Sequence, residues 1–266
     1  MSERIRPIKR LSQNFLRQPE FAVRLAESLD LRPEDTVCEI GCGEGVLTER
    51  LLKSSAGRVI GVEIDGRLTG ALLERFGSDP RFVLLQKDFL KIRLDELVPP
   101  EEKLRVAGNL PYHITSPILF HVWDQRVCVR DLTVMVQYEV AERLTSAEGS
   151  KAYGIPSILF QAAAQLELLF RVPRWAFSPV PAVDSAVVRI RFKPVVPVKD
   201  MALLQTVVRT SFGQRRKMLR NTLGRWALER SIQSVPVDMT RRPESVSVME
   251  WIELVNILAE DPRCRS

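Results

Sequence analysis

Apolar and polar positions along this chain follow two alternating periods. From Pro19, a residue suited to the first turn of a helix, Phe21, Leu25 and Leu29 recur at fourfold spacing and predict a helix with one buried stripe. Residues 36–40 are then a short run of β-branched and apolar side chains ending at a glycine, the composition of a buried strand. Comparable runs return at 59–62, 82–85, 104–107 and 132–136. Helical patterns follow several of them, as at 46–52, in Ile118, Leu119 and Val122, and between Glu139 and Leu144. Two last strands are predicted at 166–172 and 185–192, the second alternating Ala186, Val188, Ile190 and Phe192 with Val187, Arg189 and Arg191. Five strands interleaved with helices, then two strands close in sequence, predict an α/β fold whose mainly parallel sheet ends in an antiparallel pairing.

The run Lys193-Pro194-Val195-Val196-Pro197 reads as a linker, dividing a domain at 1–192 from a small C-terminal helical domain at 193–266. Within the second, 211–226 is predicted as a helix with Phe212, Leu219, Leu223 and Trp226 on one side. Arg215, Arg216, Lys217 and Arg220 form its basic face, which either neutralises phosphates or is simply solvated. Ser247 and Glu250 have capping-box spacing ahead of a last helix carrying Trp251, Leu254, Val255 and Leu258.

Charge sharpens this picture. The net +6 is concentrated at the ends: residues 1–17 hold five basic and one acidic side chain, and residues 193–266 hold thirteen and eight. A mildly acidic middle between basic ends points to a polyanionic partner met by the ends, with solubilising surface charge as the alternative. No apolar run approaches the roughly 20 residues of a membrane span, and no signal-peptide core is present, so a cytoplasmic protein is expected. Cys38, Cys42, Cys128 and Cys264, with only two histidines, make neither a disulfide framework nor a zinc constellation; free thiols and no metal are expected.

The chemistry gathers where strands end. Gly41-Cys42-Gly43-Glu44-Gly45 follows the first buried strand and leads into a helix, the first unit of a nucleotide-binding sheet of Rossmann-like type. Its form, E-x-G-x-G-x-G, is neither the dinucleotide fingerprint nor a P-loop, which favours S-adenosylmethionine over NAD or ATP; a tight turn without ligand is the alternative. Glu63 ends the second strand, where a carboxylate can accept from both hydroxyls of a ribose, while Asp65 reads as a solvated strand end. Asp88 after the third strand could accept from an adenine amino group with Phe89 lining the ring, or the pair is a charged turn with a buried Phe. Before all of these, Arg4, Arg6, Lys9 and Arg10 form a basic arm leading to 12–16, a segment that either covers a ligand or packs as a tail.

The fourth strand delivers Asn109-Leu110-Pro111-Tyr112. Asn109 offers an amide acceptor, Pro111 biases Leu110 away from helix and leaves its carbonyl uncommitted, and Tyr112 supplies a flat face. Two acceptors beside an aromatic face suit an exocyclic amine on a ring taken out of its stack. An ordinary strand-to-helix turn is the competing reading. Phe177, in the proline-rich loop 177–185, either faces the target ring opposite Tyr112 or is a buried aromatic in a rigid connector.

Taken together, 13–16, 39–41, 63–65, Asp88, 109–112, Gln137, 139–144, Tyr153-Gly154, 177–188 and 212–217 resemble the KsgA-type small-subunit ribosomal RNA adenine N6-dimethyltransferases over nearly the whole chain. The resemblance implies a Rossmann-like methyltransferase domain that uses S-adenosylmethionine to dimethylate two adjacent adenosines in the 3′-terminal hairpin of small-subunit ribosomal RNA. It also implies an immature 30S-type subunit as partner and a role in ribosome biogenesis. By the resemblance Asn14, Leu16, Gly41, Glu63, Asp88 and Asn109 would meet the cofactor, with Asn109 also at the target amine; the glycine loop adds Gly43 and the Asp88 turn Phe89 on the cofactor side, and Leu110, Tyr112 and Phe177 are the further candidates for the target base. The chain departs from the family at Cys42, where Pro is usual, and at His113, where Asn is usual; His113 is read as a structural side chain. A monomer is expected. The rivals are a large-subunit RNA methyltransferase of the macrolide-resistance type, a DNA adenine methyltransferase, and a catalytically idle assembly factor.

Overall fold

The computed structural model describes residues 13–232 and 234–264; the basic arm of Arg4, Arg6, Lys9 and Arg10 lies outside them. Phe15 and Leu16 form a two-residue strand, β1, ahead of α1 (Pro19–Ser28), whose Phe21, Ala22, Leu25 and Ala26 are buried. Strands and helices then alternate as β2 (Thr36–Ile40), α2 (Val46–Lys53), β3 (Arg58–Val62), α3 (Gly66–Phe76), β4 (Phe82–Leu85), β5 (Leu104–Asn109), α4 (Thr115–Asp124) and β6 (Val129–Gln137). The chain continues through α5 (Tyr138–Thr145), α6 (Ile155–Ala163), β7 (Ala164–Val172), the short β8 (Phe177–Ser178) and β9 (Ser185–Phe192). Three helices follow: α7 (Met201–Phe212), α8 (Leu223–Glu229) and α9 (Val248–Leu258).

Seven strands form one sheet in the order β4-β3-β2-β5-β6-β9-β7. The pairs β2–β3, β3–β4, β2–β5 and β5–β6 are parallel and β6–β9 is antiparallel, as the strand pattern predicted. From β2 the chain winds outward through β3 and β4, then returns to the other side of β2 with β5. That reversal opens a crevice beyond the C-terminal ends of β2 and β5, the place where open α/β sheets bind ligands.

At the opposite end, Arg105 is only 5% exposed and is held by two buried carboxylates, Asp35 (2.9 Å) and Asp131 (2.6 Å). Its guanidinium also donates to the carbonyls of Leu29 and Asp30 just past α1, so one cation ties that helix to the strand starts. A buried charge is tolerable because every arm of the fork has an acceptor.

The chain divides into two compact units, but not where the sequence suggested. One runs to Ala141 and resumes at Glu167–Phe192; the other joins Glu142–Leu166 to everything after Lys193. The expected 1–192 domain therefore gives up its 142–166 segment. The reason lies in α6, whose Ile158, Leu159, Phe160, Ala162 and Ala163 are all buried and which packs with α7 and α9. Tyr153 meets Phe212 edge-on at 6.4 Å and donates its hydroxyl to the Val246 carbonyl at 2.9 Å. The capping box at Ser247 and Glu250 forms as predicted.

Candidate active site

A cavity of about 300 Å³ fills the crevice, entirely within the first unit. Its floor is the loop between β2 and α2. Gly43 has φ +56° and donates its N–H to Glu63 Oε2 at 2.9 Å, so a left-handed glycine couples this loop to the end of β3. Gly45 caps α2 at φ +79°, and a Cβ there would sit 2.6 Å from the Phe76 ring. At Gly41, by contrast, an added Cβ would meet nothing within 4 Å, because that backbone borders open cavity.

Four carboxylates line the cavity: Glu39, Glu44, Glu63 and Asp88. Glu63 is 5% exposed; Asp65 N–H donates to its Oε1 at 2.9 Å, and burial raises its pKa above the usual carboxylate range despite these N–H donors. Each oxygen accepts one backbone N–H and retains a lone pair for a further donor. Glu39, in the middle of the fully buried β2, is 1% exposed and accepts the Thr48 hydroxyl at 2.6 Å; burial pushes its pKa up to about 8. In the sequence Glu39 stands out only as part of the glycine motif; its signal is a charged residue in a strand otherwise apolar. Asp65, expected as a solvated strand end, is instead 6% exposed: it caps α3 through Arg67 N–H and pairs with the Arg67 guanidinium, which holds its carboxyl well below the usual range.

Asp88 and Phe89 both line the cavity; Asp88 Oδ1 accepts Leu90 N–H at 3.0 Å. Asn109 reaches the cavity from the end of β5. Its Nδ2 donates to the Asn14 carbonyl at 3.2 Å, while its Oδ1 is buried without a hydrogen-bond partner among the described residues. The donor bond fixes which half of the amide is which. Leu110 N–H bonds the Met135 carbonyl at 3.0 Å, and Ile114 N–H and the Thr115 hydroxyl go to the Pro111 carbonyl. The donors of this turn thus gather one residue past the Leu110 carbonyl. Tyr112 is fixed at its far end by a 2.6 Å hydrogen bond between its hydroxyl and that of Ser185, which is fully buried on β9. His113, read as structural, is instead exposed on the cavity wall.

Asn14 and Leu16 line the cavity from a strap at 13–17. Gln13 donates to Asp65 at 3.0 Å, Leu16 pairs with Phe177 between β1 and β8, and Arg17 forms a 2.5 Å ion pair with Glu44. Here one expectation fails. Phe177 does not face the cavity: it is 2% exposed within the apolar cluster that includes Phe15, Leu16 and Phe21. Pairing with β1 turns its ring into the core, making it the anchor of the strap.

The basic cluster also differs from its prediction. Helix α7 ends at Phe212, Gly213 closes it by donating to the Arg209 carbonyl, and Arg215, Arg216 and Lys217 sit in the following turn rather than on a helix face. Arg215 donates to the Ser150 carbonyl at 3.3 Å and is half-buried, whereas Arg216, Lys217 and Arg220 are exposed.

The family model of the ribosomal RNA adenine dimethylases matches residues 6–260. The chain belongs to that family. As such it is an S-adenosylmethionine-dependent methyltransferase acting on ribosomal RNA adenine. This dimethylase is 42% identical over 256 residues to the ribosomal RNA small subunit methyltransferase A of Pseudomonas aeruginosa, covering 96% of this chain and 95% of that protein. It is 39% identical to the protein of the same name from Hahella chejuensis, covering 96% and 93%. Among solved structures, the 23S rRNA methyltransferase ErmE superposes with a TM-score of 0.73 at 28% identity, over 92% of the dimethylase and all of ErmE. A dimethyladenosine transferase from Plasmodium falciparum gives 0.76 at 22% identity, over 92% and 98%, and shares the fold.

Proposed function

We propose that this dimethylase transfers methyl groups to N6 of two adjacent adenosines in the 3′-terminal hairpin of small-subunit ribosomal RNA, acting in the cytoplasm, as a monomer, on an immature 30S-type subunit. The observation that carries the reading is the buried Oδ1 of Asn109, unpartnered among the described residues, at the cavity wall beside Tyr112. Leaving a buried acceptor unpaired costs about 1–3 kcal/mol, a cost recovered when a donor arrives. An adenine amino group brings two donors: one for Asn109 Oδ1, the other for the Leu110 carbonyl.

The residues around the cavity fit S-adenosylmethionine, which when bound supplies an electrophilic methyl carbon on a sulfonium. Gly41 and Gly43 would let the backbone approach it, Glu63 would accept ribose hydroxyls with its remaining lone pairs, and Asp88 with Phe89 would border the adenine. Asn14 and Leu16 would close over it from the strap. On the target side, Tyr112 stacks on the flipped base, its ring held in place by Ser185. With both N6 hydrogens held by acceptors, the nitrogen lone pair turns out of conjugation toward the methyl carbon; positioning therefore replaces a general base. The proton becomes acidic as the N–C bond forms and the methyl carbon's bond to sulfur breaks, that electron pair leaving with the thioether, and the proton goes to water. Arg216, Lys217 and Arg220, exposed in the second unit, serve as phosphate contacts, with Arg215 bracing their turn. The small-subunit assignment is favoured over a large-subunit one by identities near 40% to small-subunit enzymes against 28% to ErmE.

The test is transfer of labelled methyl from S-adenosylmethionine to small subunits isolated from cells lacking this activity, followed by nuclease digestion of the product. Wild type should yield dimethyladenosine, and Asn109→Ala should lower kcat by at least roughly 100-fold, the scale of losing one preorganised acceptor. A cofactor-binding wild type that transfers nothing to the subunit would refute the reading.

A further inference from the structure

We infer that a second cleft, lined by Tyr138, Arg171, Arg174 and Asp184, holds the nucleotide flanking the target base. The inference rests on the proposed RNA reaction and names a subsite for it. The cleft encloses about 380 Å³ and also lies within the first unit.

Its position follows from the strand register. Gln137 pairs with Ser185 across β6 and β9, and Ser185 holds the Tyr112 hydroxyl at 2.6 Å. One residue further out, Tyr138 N–H donates to the Asp184 carbonyl at 2.9 Å, and both residues line the cleft. Asp184 is thus one chain step, about 3.8 Å between Cα atoms, from the side chain that fixes the base-stacking tyrosine. A base flipped about its own backbone leaves its neighbours at the mouth of the pocket.

The side chains suit a nucleotide better than a simple anion. Arg171 lies 3.8 Å over the Tyr138 ring and donates one arm of its fork to the Tyr138 hydroxyl, leaving the other arm for a phosphate oxygen. Arg174 is exposed beside it, and its backbone N–H donates to Asp184 Oδ1 at 2.9 Å, which fixes that carboxylate. Glu139 also lines the cleft, so two carboxylates face the two arginines; they repel a free phosphate but accept from base amino groups. Val183 in the cleft lining is 43% exposed, and Trp175, next in sequence to Arg174, is 58% exposed, apolar surface of the kind on which unstacked bases rest.

The experiment compares wild type with the Arg171→Gln/Arg174→Gln double variant in methyl transfer to isolated small subunits over a series of salt concentrations, with S-adenosylmethionine affinity measured by calorimetry. The expected result is a KM for the subunit raised roughly tenfold, kcat within about twofold, and a salt slope shallower by about 0.7 for each phosphate that no longer meets an arginine. Cofactor affinity should not change. An unchanged KM and salt slope beside an active wild type would overturn the cleft assignment. An inactive wild type would overturn the underlying reaction instead, and equal binding of a single-stranded RNA oligonucleotide by wild type and variant would then overturn the cleft as well. Should the double variant lose cofactor binding, Arg174→Gln alone, at an exposed position, carries the same comparison.

Discussion

Replacing Glu39 by Gln should stabilise the cofactor-free protein at alkaline pH and leave it unchanged near pH 5. The carboxyl sits at 1% exposure with Thr48 as its hydroxyl donor, and burial pushes its pKa from 4.5 to about 8. The folded state therefore holds a proton that the unfolded chain releases. The contribution of this group is greatest below pH 4.5, declines as pH rises through the interval from 4.5 to 8, and levels off above it. At 1.36 kcal/mol per pKa unit the upper limit is roughly 4–5 kcal/mol, and relaxation around a buried charge brings the expected difference to about 2–4 kcal/mol. Gln keeps the shape and accepts from Thr48 without ever ionising. Urea denaturation of wild type and E39Q, followed by tryptophan fluorescence between pH 5 and 9, isolates this group together with the neighbours its charge acts on, Cys38, Cys42 and Glu63, because the remaining groups titrate alike in both proteins. Stability curves that stay parallel within about 0.5 kcal/mol across that range would refute the argument.

Arg105→Met should destabilise the first unit by about 3–5 kcal/mol, since Asp35 and Asp131 remain buried and lose their shared cation; thermal and urea midpoints measure this. Gly45→Ala should cost about 1–3 kcal/mol, because it combines a left-handed φ with a 2.6 Å approach to Phe76, and a melting temperature equal to wild type would sink that reasoning. Ser185→Ala should lower kcat about 3–10-fold by freeing the Tyr112 ring, whereas the same change in a Tyr112→Phe background should have no further effect, as a double-mutant cycle of transfer rates will reveal.

The strands β2, β4 and β9 were legible to the residue because a buried strand has a composition that few other segments share. The cavity residues from Gly41 to Tyr112 were legible too, since each ends a strand or follows one, and strand ends in this topology converge; Asn14 and Leu16 came only from the family resemblance. What escaped depends on partners distant in sequence. Nothing within 142–166 says that α6 will pack with α7 and α9 rather than with the sheet that its neighbours enter. Phe177 reads equally as a base clamp or a core residue until its pairing with Leu16 is known. Apolar spacing carried the predicted helix through 213–218, where Gly213 and an extended Met218 interrupt it, because a few matching positions on either side of a turn imitate one continuous stripe.

The bond from Asn109 Nδ2 to the Asn14 carbonyl has a consequence for the polarity of the site. A primary amide is nearly symmetric in shape, and an untethered one can rotate end for end, showing two hydrogens where it had shown a lone pair. Toward an amine, those two orientations are opposites: one attracts, the other repels. The strap carbonyl therefore acts as a latch on the sign of the interaction. With the strap seated, the wall beside Tyr112 accepts; with the strap lifted, the same side chain is free to present the wrong face. Under the proposed roles of Asn109 and the strap, readiness toward the base and closure of the neighbouring compartment would be one event, tied by this hydrogen bond.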